Sequence, residues 1–281
     1  MSQPDAMAEA VSRLRGAGMP SPVADARILL THALGTTGPL VMAAEPDPEQ
    51  AAHFFAMVER RAAGEPVQHI TGRAPFRYEE VHVGHGVFIP RPETETLVDQ
   101  ALQVLAARPS DRRRVVELGA GSGAITLSIA REMGGVELHA VELSEAAWPY
   151  LKANLATVAV DLVHGDMADA FTDLDATVDL VITNPPYVPA RGRHLLPRDV
   201  VAHDPDMALF GGEDGLDALR VVRDVAARLL RPGGYVMAEH DETQSDAVVH
   251  LFGAPDFRDT IDVRDLNDRP RHVVARRAMP Q

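Results

Sequence analysis

The sequence predicts an α/β domain with a mostly parallel sheet, preceded by a small bundle of short helices. Three observations point there. From Arg114 onward, seven apolar runs of β type alternate with helical patterns, the signature of a sheet covered by helices. The first 70 or so residues carry no such alternation and read as short helices parted by glycine-rich breakers. Between these regions, Phe76 to Val83 partly alternates, and Gly84-His85-Gly86 then leads into Val87-Phe88-Ile89, as a β-hairpin would.

The elements follow in order. Ser21 before Pro22 forms a plausible N-cap and first-turn pair, with Asp25 favourable near the positive helix end. That helix is expected to carry Val23, Ala26, Ile28, Leu29, Leu30 and Leu34. A second helix follows Pro48, with Ala51, Phe54, Phe55 and Val58 near one face. Gly16-Ala17-Gly18 and Gly35-Thr36-Thr37-Gly38 break the pattern. Residues 64–72 form a turn-rich link. Pro90-Arg91-Pro92 stops the hairpin, and Thr94 is expected to cap a helix carrying Leu97, Val98, Ala101, Leu102 and Leu105. Strands are expected over 115–118, 136–141, 160–164, 178–183, 234–239, 257–263 and 272–275. Helices are expected over 124–133, 145–157, 216–230 and 243–251.

Composition narrows the chemistry. The 281 residues suffice for one large domain or two unequal ones, and 46% apolar content supports a sizeable core. With 27 basic and 41 acidic residues the net charge is -14, which disfavours phosphate backbones and suits a basic protein partner. The absence of cysteine removes disulfides, thiolate nucleophiles and Cys-ligated zinc. No apolar run approaches the roughly 20 residues of a membrane span, and no leader pattern is present, so a cytoplasmic protein is expected. The twelve histidines show no metal-ligand spacing, and no metal is expected.

Two motifs carry the chemistry. Gly119-Ala120-Gly121-Ser122-Gly123 sits between a predicted strand and a predicted helix, where glycine permits positive φ and close backbone approach to a ligand. Glu142 ends the next strand, and a carboxylate there accepts ribose hydroxyls. Met167 follows the third strand, where an adenine edge would lie. Gly119, Gly121 and Ala124 also satisfy a nicotinamide-cofactor pattern, so the turn alone leaves two cofactor classes open.

The second motif is Asn184-Pro185-Pro186-Tyr187, at the end of the fourth strand. The Asn184 side-chain oxygen and a backbone carbonyl together accept the two hydrogens of a planar NH₂ group. Pro185 and Pro186 stiffen the loop, and Tyr187 lies flat against the group. Such acceptors stabilise the positive charge that grows on nitrogen during attack, an oxyanion hole with the sign reversed. Beside a nucleotide-like cofactor, this points to methyl transfer from S-adenosyl-L-methionine to an amide or amino nitrogen.

These motifs, with Glu65-Pro66-Val67-Gln68-His69-Ile70-Thr71-Gly72, Phe88-Ile89-Pro90-Arg91-Pro92-Glu93-Thr94-Glu95, residues 208–216 and Arg231-Pro232-Gly233-Gly234, resemble the HemK/PrmC-type peptide chain release factor glutamine methyltransferases. Asn-Pro-Pro-Tyr alone is shared with several amino-methyltransferases, including DNA adenine enzymes. The Ile-Pro-Arg-Pro-Glu-Thr-Glu segment is far more specific.

The resemblance covers most of the chain. It implies a helical substrate-recognition domain over residues 1–74, a hairpin linker over 75–91 and a Rossmann-like, seven-stranded methyltransferase domain over 92–281. It implies S-adenosyl-L-methionine as donor and the glutamine amide of the release factor Gly-Gly-Gln loop as acceptor. Gly119, Ala120, Gly121, Ser122, Gly123, Glu142, Met167 and Asn184 would contact the cofactor. Asn184, Pro185, Pro186 and Tyr187 would hold the glutamine, with Asn184, Pro185 and Tyr187 catalytic. The neighbourhood of Arg91 would close over the site. Met167 stands where relatives often carry an aromatic residue, and Asp204-Pro205 where Glu-Pro is usual.

A cytoplasmic monomer acting on release factors, with no direct nucleic-acid or membrane contact, is the expectation. A ribosomal protein glutamine or a nucleic-acid base is the alternative acceptor. Glu93 and Glu95 read as helix-start acids rather than a catalytic pair. Arg112-Arg113-Arg114 reads as a solvated face, and Arg191, Arg193, His194 and Arg198 as candidate substrate contacts.

Overall fold

A computed structural model describes residues 2–35, 45–107, 113–196 and 198–279. The chain divides into two units. One comprises the residues up to Arg73 together with a short helix, Arg198–His203; the other comprises the rest.

The first unit contains α1 (Gln3–Gly16), α2 (Pro22–Leu34), α3 (Pro48–Ala62) and α4 (Val67–Thr71). Its core joins Ala6, Ala10 and Leu14 to Ala26, Leu29 and Leu30, to Phe54, Met57 and Val58, and to Val67 and Ile70. Asp47 and Gln50 close a reciprocal capping box at the start of α3. A buried ion pair, Arg61 Nε to Asp25 Oδ2 at 2.7 Å, ties α3 to α2. Asp25 is therefore a buried partner rather than only a first-turn acid. Val23 and Ile28, expected on the apolar face of α2, are exposed at 44% and 45%. The i, i+3, i+4 spacing of Ala26, Leu29 and Leu30 sets the buried stripe and leaves those two off it. Ser21 occupies the N-cap position but makes no side-chain capping bond. Thr36-Thr37-Gly38 and Arg112 lie outside the described residues.

The second unit, from Ala74, opens within a hairpin of β1 (Arg73–Phe76) and β2 (Glu79–His82). Its turn is Arg77-Tyr78, not Gly84-His85-Gly86, and Val87-Phe88-Ile89 is not a strand. Arg77 adopts φ 54, and its guanidinium makes two parallel bonds to Glu132, at 2.6 and 2.7 Å. Its backbone N–H donates to Glu95 Oε1 at 2.9 Å. These tertiary bonds hold a non-glycine residue in a conformation that sequence reasoning assigns to glycine. Val83, Val87 and Ile89 instead join the main core from irregular chain, in which Val87 N–H donates to the Gly84 carbonyl at 3.3 Å.

After α5 (Pro92–Ala106) comes the alternating part: β3 (Arg113–Leu118), α6 (Ala124–Glu132), β4 (Val136–Glu142), α7 (Trp148–Asn154), β5 (Asp161–His164) and β6 (Val178–Thr183). Then follow α8 (Arg198–His203), α9 (Asp206–Leu209), α10 (Asp217–Leu229), β7 (Leu230–Glu239), α11 (Ser245–Leu251), β8 (Phe257–Arg264) and β9 (Pro270–Arg277). The seven strands from β3 to β9 form one sheet in the order β5-β4-β3-β6-β7-β9-β8, with β9 antiparallel to its neighbours. Alternate residues serve opposite faces. Val115 and Leu180 join the core under α5, α6 and α7, whereas Val116 and Val181 join the core under α10 and α11.

Pro149 in the first turn of α7 delays that helix to Trp148, three residues later than the sequence predicts. No helix among the described residues is long and apolar enough to cross a membrane.

Candidate active site

β3 and β6 are neighbours at the point where strand order reverses, with β4 and β5 on one side and β7 on the other. Ligands of open α/β sheets bind beyond the strand ends at such a point. Val115 pairs with Leu180 and Glu117 with Ile182. The two strands therefore end level, and Thr183 Oγ1 donates to the Leu118 carbonyl at 2.6 Å. Gly119 leaves β3 beside the place where Asn184 leaves β6. Two motifs about sixty residues apart in sequence thus meet at one place.

Gly119, Gly121 and Gly123 adopt φ of 64, 56 and 79°. A Cβ on Gly119 or Gly121 would meet nothing within 4 Å, so these positions need glycine for backbone conformation, and space stays open beside them. A Cβ on Gly123 would approach Leu151 Cδ1 to 2.7 Å, so that glycine is also required by the packing of α7. Ala120 N–H donates to the Val141 carbonyl at 3.0 Å. Asn154 Nδ2 holds the buried Ser122 by its carbonyl at 2.8 Å.

The Glu142 carboxylate reaches into this turn. Oε2 accepts from Gly121 N–H and Oε1 from Ser144 N–H, each at 2.7 Å. A carboxylate has about four lone-pair sites, so two remain for ligand hydroxyls. The next residue, Leu143, is 52% exposed. An apolar side chain offered to solvent beside a fixed carboxylate carried no sequence signal. Met167 follows β5, but it is half-buried and packs partly against the core beneath α10 and α11.

Glu117, one residue from the end of β3, is a functional candidate the sequence reading left unassigned. Thr126 donates to its Oε2 from both backbone N–H, at 2.9 Å, and hydroxyl. Burial pushes its carboxyl up to about 8, against the Thr126 bonds, and Glu142 adds to the rise. A raised acid pKa means the folded state keeps a proton that the unfolded chain has lost. Stability therefore falls as pH rises from about 4.5 to about 8 and is level beyond. Glu117→Gln removes that slope. Against wild type it gains on the order of a few kcal/mol across the window, read by denaturant unfolding at several pH values. A parallel pair of curves would contradict this.

Asn184 sits half-buried after β6, and Pro185 is buried. Its Nδ2 donates to Thr94 Oγ1 at 3.1 Å, and Thr94 donates to Glu239 Oε2 at 2.7 Å. Tyr187 donates from its phenol to Glu239 Oε1 at 2.9 Å. Burial, then Glu239, raises the Tyr187 pKa well above its ordinary value, so the phenol stays a donor. Thr94 is thus not the cap of α5, whose N-cap position is Arg91. It lies inside the first turn with its hydroxyl aimed at the site.

The loop after the motif is stapled from behind. Gln244 Nε2 donates to the Tyr187 carbonyl at 3.0 Å and to the Asp214 carbonyl at 3.2 Å. Gly215, at φ 78, packs so closely that a Cβ would collide with the Tyr187 carbonyl oxygen.

Arg91 Nη2 binds the buried Asp204 at 2.6 Å, so an aspartate at that position still reaches its arginine. Arg193, a candidate substrate contact, pairs with Asp206 at 2.8 Å and lies 5.2 Å over the Phe210 ring, which makes it a brace of its own loop. Arg191 and His194 are exposed; the Arg198 side chain lies outside the described set. Glu95 is taken by Arg77, as an architectural acid. Among the described residues no group of three or more His, Asp or Glu is disposed to hold a metal ion.

Residues 5–72 match the family model described as the PrmC N-terminal domain, and residues 80–204 the methyltransferase small domain. The chain is 46% identical to a release factor glutamine methyltransferase of Streptomyces coelicolor, over 98% of both chains. It is 43% identical to that of Corynebacterium glutamicum, over 97% of this chain and 98% of the other. It is also 39% identical to a 4-amino-L-phenylalanine/4-methylamino-L-phenylalanine methyltransferase of Streptomyces pristinaespiralis, over 89% of this chain and 86% of that one. Among solved structures, the hMettl16 catalytic domain in complex with the MAT2A 3'UTR hairpin 6 shares the fold, with a TM-score of 0.57 at 12% identity, covering 72% of this chain and 76% of that one.

Proposed function

The chain belongs to the release factor glutamine methyltransferase family, and we propose that it transfers a methyl group from S-adenosyl-L-methionine to the side-chain amide nitrogen of the glutamine in the release factor Gly-Gly-Gln motif. The observation that carries this reading is the level ending of β3 and β6, which sets an open glycine turn beside an asparagine acceptor.

The residues present fit the donor. Glu142 keeps two lone-pair positions for ribose hydroxyls, Leu143 offers an apolar face beside them, and the open side of Gly119 and Gly121 admits close backbone approach. S-adenosyl-L-methionine supplies an electrophilic sulfonium methyl. The protein supplies position and charge. Asn184 Oδ1 and the Pro185 carbonyl accept the two amide hydrogens of the substrate, and Tyr187 stacks on its plane. Both acceptors gain strength as the nitrogen becomes positive, which favours the transition state over the bound substrate. Alignment of nitrogen and methyl adds the proximity contribution. The nitrogen loses its proton after the new bond has formed, so no base is needed beforehand.

The first unit is read as a docking surface for the body of the release factor. The expected consequence is a much higher kcat/KM for the whole factor than for a short Gly-Gly-Gln peptide; equal values would remove that role. Acceptor class is tested by offering labelled donor with release factor, 4-amino-L-phenylalanine, ribosomal proteins and nucleic acid in parallel. Label in the release factor alone is expected. Label chiefly in the free amine would move the chain toward its S. pristinaespiralis relative.

A further inference from the structure

We propose that Glu239 is a positioning residue which, acting through Thr94, dictates which end of the Asn184 amide faces the substrate. This rests on the reading of Asn184 as the acceptor for the methylated amide.

Glu239 ends β7, the strand beside β6, and Thr183 pairs with Ala238. Glu239 and Asn184 are therefore the residues that follow a matched pair. Glu239 is 1% exposed. Glu239 accepts through both oxygens: Oε2 from the Thr94 hydroxyl at 2.7 Å, Oε1 from the Tyr187 hydroxyl at 2.9 Å. Arg271 supplies positive charge nearby; burial opposes that charge, yet the carboxylates of Glu239 and Asp265 favour it.

The direction of each bond then follows by elimination. Threonine has one hydroxyl hydrogen, and Thr94 spends it on Glu239. Toward Asn184 it has lone pairs alone, so only the NH₂ end of Asn184 can bond to it, as it does at 3.1 Å. The Oδ1 end is thereby turned away from Thr94 and left to accept from a ligand. With the amide reversed, Asn184 would present hydrogens to the hydrogens of the substrate NH₂. An asparagine free to turn would spend part of its time in that unproductive state. This gives a physical role to Thr94 inside the segment Ile89-Pro90-Arg91-Pro92-Glu93-Thr94-Glu95, on an element far from β6 in sequence.

Glu239→Gln keeps the shape but replaces one acceptor oxygen by an NH₂ group, and in the orientation that places this group on the Thr94 side it donates to Thr94 Oγ1. The threonine hydrogen is then free to bond Asn184 Oδ1, and the amide reverses. Turnover is expected to fall about 10²-fold, with affinity for S-adenosyl-L-methionine and melting temperature held. Thr94→Val is expected to lower turnover too, and Thr94→Ser to recover most of that loss. In an Asn184→Ala background, Thr94→Val should add no further loss, because it acts through the missing side chain.

An arm independent of turnover is the side-chain ¹⁵N–¹H₂ signal of Asn184, assigned by its loss in Asn184→Ala. It should move in both Glu239→Gln and Thr94→Val. Wild-type turnover in these two variants, an equal Thr94→Val loss with and without Asn184, or an unmoved amide signal would overturn the proposal. If wild type methylates no release factor, the functional reading fails separately, and the amide signal still decides whether Glu239 orients Asn184.

Discussion

Asn184→Ala is expected to lower turnover about 10²-fold or more, with affinity for S-adenosyl-L-methionine less affected. The asparagine oxygen is worth most when the substrate nitrogen carries positive charge, so its loss falls on kcat rather than on cofactor binding. The fold should tolerate the change. Asn184 is half-buried at a strand end, and its side-chain amide bonds Thr94, whose own partner Glu239 remains. Single-turnover kinetics with saturating donor would read the chemical step, and calorimetry the cofactor affinity. An unchanged step would remove Asn184 from the mechanism. A joint collapse of cofactor affinity and melting temperature would make it an architectural residue.

Glu142→Ala should do the reverse, weakening S-adenosyl-L-methionine binding about 10²-fold while the residual chemical step at saturation changes far less. Two contributions add. Hydroxyl bonds to an ionised acceptor are worth roughly 1.5–3 kcal/mol each. The glycine turn would also lose the acceptor that holds Gly121 N–H and Ser144 N–H at 2.7 Å. Glu142→Gln keeps one carbonyl oxygen and should fall between. Normal affinity of Glu142→Ala in calorimetry would end the ribose assignment.

Local signals were legible in the sequence where chemistry and position lie close along the chain. The alternation after Arg114, the glycine turn and Asn184-Pro185-Pro186-Tyr187 all carry their meaning within a few residues, and the seven strands follow from them. Tertiary partners were not legible. Arg77 turns the hairpin at positive φ because Glu132 and Glu95, from other elements, hold it there. Val23 and Ile28 look like core residues until the stripe through Ala26, Leu29 and Leu30 is fixed by packing. Thr94 reads as a cap because hydroxyls favour caps; its bond to Glu239 spans 145 positions of sequence. Glu117 and Glu239 each end or nearly end a buried strand, where a carboxylate is costly. That cost was the signal available: an ionisable residue at the carboxyl end of a core strand merits assignment to the site.

The most direct test of the central claim is transfer of labelled methyl from S-adenosyl-L-methionine to a purified release factor, beside the same factor with its Gly-Gly-Gln glutamine changed to alanine. Label in the unaltered factor and none in the variant is the predicted result, which would establish donor, acceptor and reaction together. Equal label in both, or none in either, would contradict it.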